Sequence, residues 1–171
     1  MIYNDDELNN ILNYSLGFNG YIDNLCGLRE KIINKQINKC NYGDDVKFNG
    51  LYHPAIEGKI IKNNLKLSKN KIITGPNAAG KTTLLKSTII NILFSQQMGF
   101  GYYTSATINP YDYIHCYINI PDTSARDSLF QAEARRCKNI LQSIEENTQA
   151  RHFCIFDELF SGTNPYEAIS S

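Results

Sequence analysis

Long hydrophobic runs are missing from this chain of 171 residues. Its longest apolar stretches, such as Thr88 to Phe94, fall far short of the ~20 residues that a membrane-spanning helix needs. An excess of either charge is missing too. Seventeen Lys and Arg stand against seventeen Asp and Glu, which argues against a chain whose main task is to coat nucleic acid or an anionic membrane, although a local patch can hide in a neutral total. Asp5, Asp6 and Glu7 stand where a secretory leader carries basic residues. C-x-x-C pairs are absent: Cys26, Cys40, Cys116, Cys137 and Cys154 are odd in number and scattered, which argues against a disulfide framework or a zinc site. His53, His115 and His152 form no i,i+4 pair, so a helical histidine metal motif is missing. What remains is ordinary: 42% hydrophobic and 20% charged residues suit one globular domain. The expectation is a soluble, cytoplasmic protein with no membrane partner.

Residues 1 to about 40 carry a helical pattern. Leu8, Ile11, Leu12, Leu16, Ile22, Leu25, Leu28, Ile32, Ile33 and Ile37 recur at steps of three and four, and Gly17 with Gly20 predicts a split into two helices. Residues 1–41 therefore read as a helical lever or packing segment, set before a second unit at 42–171. Tyr42-Gly43-Asp44-Asp45 marks the break. Short apolar pieces follow at Val46–Leu51, Lys59–Ile61 and Ile72–Thr74, which read as a small β-rich region feeding a buried strand. Lys59, Lys62, Lys66, Lys69 and Lys71 among them read as a solvated surface, without the aromatic interleaving of a nucleic-acid patch. Leu84, Leu85, Thr88, Ile89, Ile92 and Leu93 predict a helix from Lys81 to about Ser95, ended by Gly99 and Gly101. Ile108–Ile120 reads as strand with an Asn109-Pro110 turn inside it. Residues 127–146 read as a second long helix, and Phe153–Phe156 as a short, fully buried strand. The order is that of an α/β fold.

Gly75-Pro76-Asn77-Ala78-Ala79-Gly80-Lys81-Thr82 is a complete G-x-x-x-x-G-K-[ST] match, flanked by the expected strand and helix. Glycines let such a loop curl until backbone N–H groups and a helix N-terminus converge on phosphate. Lys81 brings charge to the β- and γ-phosphates, and the Thr82 hydroxyl is a magnesium ligand. Phe153–Phe156 runs into Asp157 and Glu158. A strand ending this way delivers Asp157 to the magnesium and Glu158 to the attacking water. Adjacent Asp and Glu favour the ATP-binding-cassette branch of P-loop NTPases over GTPases and small-molecule kinases.

Five segments resemble the MutS DNA mismatch-repair ATPases, in family order from about residue 50 onward: Tyr52-His53-Pro54-Ala55-Ile56-Glu57, Ile73 to Thr83, Asn109 to Ile114, Ser128-Leu129-Phe130-Gln131-Ala132-Glu133, and Phe156 to Thr163. The resemblance implies a P-loop NTPase fold of the cassette type, with ATP and Mg2+ as ligands. It implies that Gly75 to Thr83 hold the nucleotide, that Thr82 and Asp157 hold the metal, and that Lys81 and Glu158 serve hydrolysis. Asn77 matches an asparagine near the γ-phosphate. Ser128 matches a signature serine that reaches the nucleotide of a partner subunit, which implies a homodimer or a related second subunit; it also reads as an N-cap. DNA is the partner implied for the complete protein.

Departures are visible as well. Ala79 stands where the family usually has a second glycine, and Arg126-Asp127 precede the serine. No N-terminal mismatch-reading domain with a Phe-x-Glu motif and no clamp is visible, and the chain stops just after the Gly162-Thr163 turn. The expectation is a divergent branch and a C-terminally incomplete ATPase domain. The other readings are a nucleotide-binding switch without hydrolysis or DNA contact, and a cassette ATPase of the chromosome-maintenance type, which usually carries a Ser-Gly-Gly signature instead.

Overall fold

The computed structural model describes residues 6–118 and 129–160. The early helical pattern yields one helix rather than two: α1 spans Asp6–Ile33, with Gly17 and Gly20 inside it. A mid-helix glycine costs about 1 kcal/mol against alanine, which does not break a run with helical neighbours on both sides. No residue of α1 is buried. The helix stops short of the expected residue 40. Lys35 turns the chain with a left-handed φ of 54°, and Asn38–Tyr42 becomes strand β1.

Strands β2 (Lys47–Leu51) and β3 (Asn63–Lys66) follow, then helix α2 (Lys81–Met98), β4 (Phe100–Gly101) and β5 (Ser105–Ile108). The five strands form one sheet in the order β3-β2-β5-β1-β4. β1 and β5 run parallel, with Cys40 opposite Ala106, and the remaining pairs are antiparallel. The β2–β3 register slips between Phe48 and Leu51. Gly50 sits at that bulge with φ 64°, where a Cβ would strike the Thr104 hydroxyl. Cys40, Val46, Phe48, Leu51, Ile92, Tyr103, Ala106 and Ile108 form the core against α2.

The buried stripe of α2 is polar. Ser87, Thr88, Asn91 and Ser95 face inward beside Ile92, while Leu93 is exposed. Each inward group has a partner. Ser87 and Thr88 hydroxyls donate to the carbonyls of Thr83 (2.6 Å) and Leu84 (2.8 Å), and the Ser95 and Tyr103 hydroxyls meet at 3.0 Å. Asn91 donates to the carbonyls of Ser87 (2.9 Å) and Tyr52 (3.1 Å) and accepts from the Tyr102 N–H (2.6 Å). Gly99 closes the helix in a left-handed C-cap whose N–H returns to the Ser95 carbonyl.

Strands β6 (Tyr113–Tyr117) and β7 (His152–Phe156) pair in parallel across helix α3 (Leu129–Glu146). Residues 127 and 128, the expected start of that helix, lie outside the described residues. Three further expectations fail. Lys59–Ile61 and Ile72–Thr74 form no strand, because β3 at 63–66 takes the sheet edge and nothing among the described residues pairs with 72–74. Ile72 is accordingly 93% exposed. β7 is not fully buried either: β6 is its only strand neighbour among the described residues, and Ile155 alone in it is buried.

Removing the Asn91 amide leaves the Tyr102 N–H and the Tyr52 carbonyl without partners inside the fold. Asn91→Ala should lower unfolding free energy by about 2–4 kcal/mol, since each unmet buried group costs about 1–3 kcal/mol. Urea denaturation checks this, and a loss within ~0.5 kcal/mol, the range of an ordinary surface substitution, would contradict it.

Candidate functional site

Gly75–Gly80 form an exposed loop that leads straight into α2. Ala79 N–H donates to the Pro76 carbonyl at 3.2 Å, closing a tight turn. The left-handed positions of the loop are Ala78 (φ 60°) and Gly80 (φ 87°). Ala79 is not among them, so alanine is tolerated at 79 without backbone strain. Gly80 is the N-cap of α2 and supplies no side-chain hydrogen bond. The first-turn N–H groups therefore lack the side-chain partner that Ser, Thr, Asp or Asn would give, the condition under which a helix N-terminus receives an anion.

Lys81 folds back over the loop and donates from Nζ to the carbonyls of Gly75 (2.8 Å) and Pro76 (3.0 Å). Thr82 points the other way, and its hydroxyl donates to Asp157 Oδ2 at 2.7 Å. This contact joins two residues 75 positions apart. Asp157 is held in turn by β6, because its N–H donates to the Tyr117 carbonyl at 2.9 Å. Glu158 follows with a left-handed φ of 48° and is exposed. Pro76 and Asn77 are exposed. Ser128 lies outside the described residues.

A cleft of about 340 Å³ opens on one flank of the loop, against Ala78, Ala79, Gly80, Lys81 and Thr83. Apolar side chains of Ile56, Ile60, Ile61, Ile73 and Leu84 also line it, with His53, Lys59 and Asn63 among them. His53 is structural at its own position, where Nδ1 accepts from the Ala55 N–H at 3.2 Å. The apolar piece at 59–61 has the composition of a strand, and in the fold Ile60 and Ile61 line the cleft instead.

His115 and His152, too far apart in sequence for a helical motif, meet across the β6–β7 pair. His115 Nε2 and His152 Nδ1 are 3.0 Å apart, and the ring of Tyr113 stacks on His152 at 4.9 Å. Burial, then the neighbouring His152 and Arg136, push the His115 imidazolium below its ordinary range. Among the described residues no group of three or more His, Cys, Asp or Glu is placed to hold a metal.

The site is a glycine loop opening an uncapped helix, beside a strand-end carboxylate, in a mixed α/β protein. The family model MutS domain V matches residues 71–171. The DNA mismatch repair protein MutS of Persephonella marina is 31% identical over 160 residues, covering 88% of this chain and 18% of the relative. The protein of the same name from Phocaeicola vulgatus is 36% identical over 129 residues, covering 69% and 14%. That from Caldicellulosiruptor bescii is 30% identical over 161 residues, covering 87% and 18%. The chain belongs to the MutS family. It spans less than a fifth of the length of these relatives.

Proposed function

We propose that the chain is the nucleotide-binding part of a MutS-type ATPase, which binds ATP with magnesium and hydrolyses it in the service of DNA mismatch repair. The observation that carries this reading is the 2.7 Å contact between Thr82 and Asp157 beside the uncapped start of α2. The residues fit the ions. Magnesium takes one or two carboxylates and a few hard oxygens, keeps waters, and completes its shell with substrate phosphate. One hydroxyl and one carboxylate at adjacent positions answer that description, where a closed all-protein cage would not.

In this reading loop 75–80 and the first N–H groups of α2 receive the phosphates, and Lys81 leaves the Gly75 and Pro76 carbonyls to meet their charge. The apolar wall of Ile56, Ile60 and Ile61 faces the nucleoside. Thr82 and Asp157 hold the magnesium, which when bound neutralises charge on the transferred phosphoryl group. Glu158 positions the attacking water and takes its proton. DNA contact and pairing with a second subunit through Ser128 belong to this proposal through the family.

Lys81→Ala should weaken Mg-ATP binding by at least about tenfold, roughly 1.4 kcal/mol for a lost charge-assisted phosphate contact. Calorimetric titration checks it, and unchanged affinity would remove the site assignment.

Glu158→Gln should bind Mg-ATP as the parent does and release phosphate more slowly by ~10²–10⁴-fold, the usual contribution of a general base. Equal turnover would take Glu158 out of the mechanism. A parent that binds Mg-ATP and never releases phosphate would favour the nucleotide switch.

A further inference from the structure

Glu133 on α3 is only 4% exposed, and its Oε2 has no hydrogen-bond partner among the described residues. A carboxylate so placed costs several times what an exposed one does, so its surroundings matter. It lies against Tyr117, itself buried at the end of β6. The Tyr117 phenol is pushed above its ordinary range by burial first; the N–H contact from Phe160 opposes this, and the neighbouring Glu133 carboxylate adds to it.

Tyr117 also governs the turn after β7. Its carbonyl accepts from the Asp157 N–H at 2.9 Å, and its hydroxyl accepts from the Phe160 N–H at 3.3 Å. The turn so held contains two non-glycine residues with left-handed backbones, Glu158 (φ 48°) and Phe160 (φ 55°). Each costs about 1–2 kcal/mol, so the turn persists because tertiary contacts hold it. α3 adds a second contact there, with Phe130 and Phe160 rings 5.7 Å apart. A phenol has one O–H. To accept from Phe160 its lone pair must face the turn, which requires an acceptor for the O–H elsewhere.

We propose that Glu133 is a positioning residue for Glu158: its carboxylate accepts the Tyr117 O–H, which turns the phenol oxygen to the Phe160 N–H and fixes the left-handed turn between Asp157 and Phe160. This rests on the reading of Glu158 given above. Glu133 acts through Tyr117, and it ties helix α3 to the acidic pair at the end of β7.

The test compares Glu133→Met and Tyr117→Phe with the parent, with Glu133→Gln, which keeps an acceptor oxygen, as the rescue. Amide hydrogen exchange is followed at Phe160 and at Asp157, and ATP turnover is measured alongside. In Glu133→Met and Tyr117→Phe, Phe160 exchange should rise about tenfold while Asp157, bonded to the main chain, stays protected, as loss of one hydrogen bond implies. Turnover number should fall about tenfold at unchanged KM, as a misplaced water-positioning group implies, and Glu133→Gln should restore both. Unchanged Phe160 exchange in the folded variants overturns the proposal, and so does a loosened turn with unaltered turnover number. A parent that binds Mg-ATP without hydrolysing it sinks the hydrolysis reading instead, while Phe160 exchange still decides whether Glu133 sets the turn.

Discussion

The hydrogen bond from Thr82 to Asp157 is the constraint on which the site depends. It crosses from the first turn of α2 to the end of β7. α2 packs on the five-stranded sheet and β7 belongs to the two-stranded one, so the contact brings the glycine loop and the acidic pair to one place. Two further contacts keep the halves in register. Gln96 exchanges two 3.0 Å hydrogen bonds with the backbone of Tyr111, and Tyr111 packs on Phe153 with ring centroids 5.2 Å apart. These act about four turns along α2 from Thr82. A helix tied at both ends cannot swing, and the loop at its start inherits that rigidity.

The polar stripe of α2 serves the same end. A helix buried through leucines packs with tolerance for small shifts, because dispersion contacts are many and non-directional. Asn91 is different. Its amide joins Tyr52, Ser87 and Tyr102 within hydrogen-bond geometry, so α2 fits its sheet in one rotation and one register. A satisfied buried network is a specifying device more than a stabilising one. Tyr52 in turn opens the segment that carries His53 and Ile56 to the cleft, which places the cleft wall and the loop on the same frame.

Much of the site was legible because its motif residues are local. Gly80, Lys81 and Thr82 define a loop–helix junction within a few positions, and Gly99 marks the end of the helix as read. The pairing of Thr82 with Asp157 was legible through chemistry: an apolar strand ending in a carboxylate has one obvious use beside such a loop. Contacts set by tertiary structure were not legible. The α2 leucine pattern gives the period of the helix but not the buried face, since Tyr52, Tyr102 and Tyr103 present polar groups to Asn91 and Ser95. Asn38–Tyr42 alternates too weakly to be told from the tail of a helix, and it becomes a strand because Cys40 pairs with Ala106. Ile60 and Ile61 have strand composition, and only the fold makes them a cleft wall. Glu133 was part of a recognised segment, yet its burial against Tyr117 could not be read from spacing.

The central claim is that Thr82 and Asp157 together form a magnesium seat beside the phosphate loop. It is tested most directly by titrating ATP into the parent, Thr82→Val and Asp157→Asn with and without magnesium. The parent should bind ATP at least about tenfold more tightly with magnesium, about 1.4 kcal/mol, and both variants should lose that increment while keeping the magnesium-independent binding supplied by Lys81 and the start of α2. An equal magnesium increment in all three proteins would contradict the account.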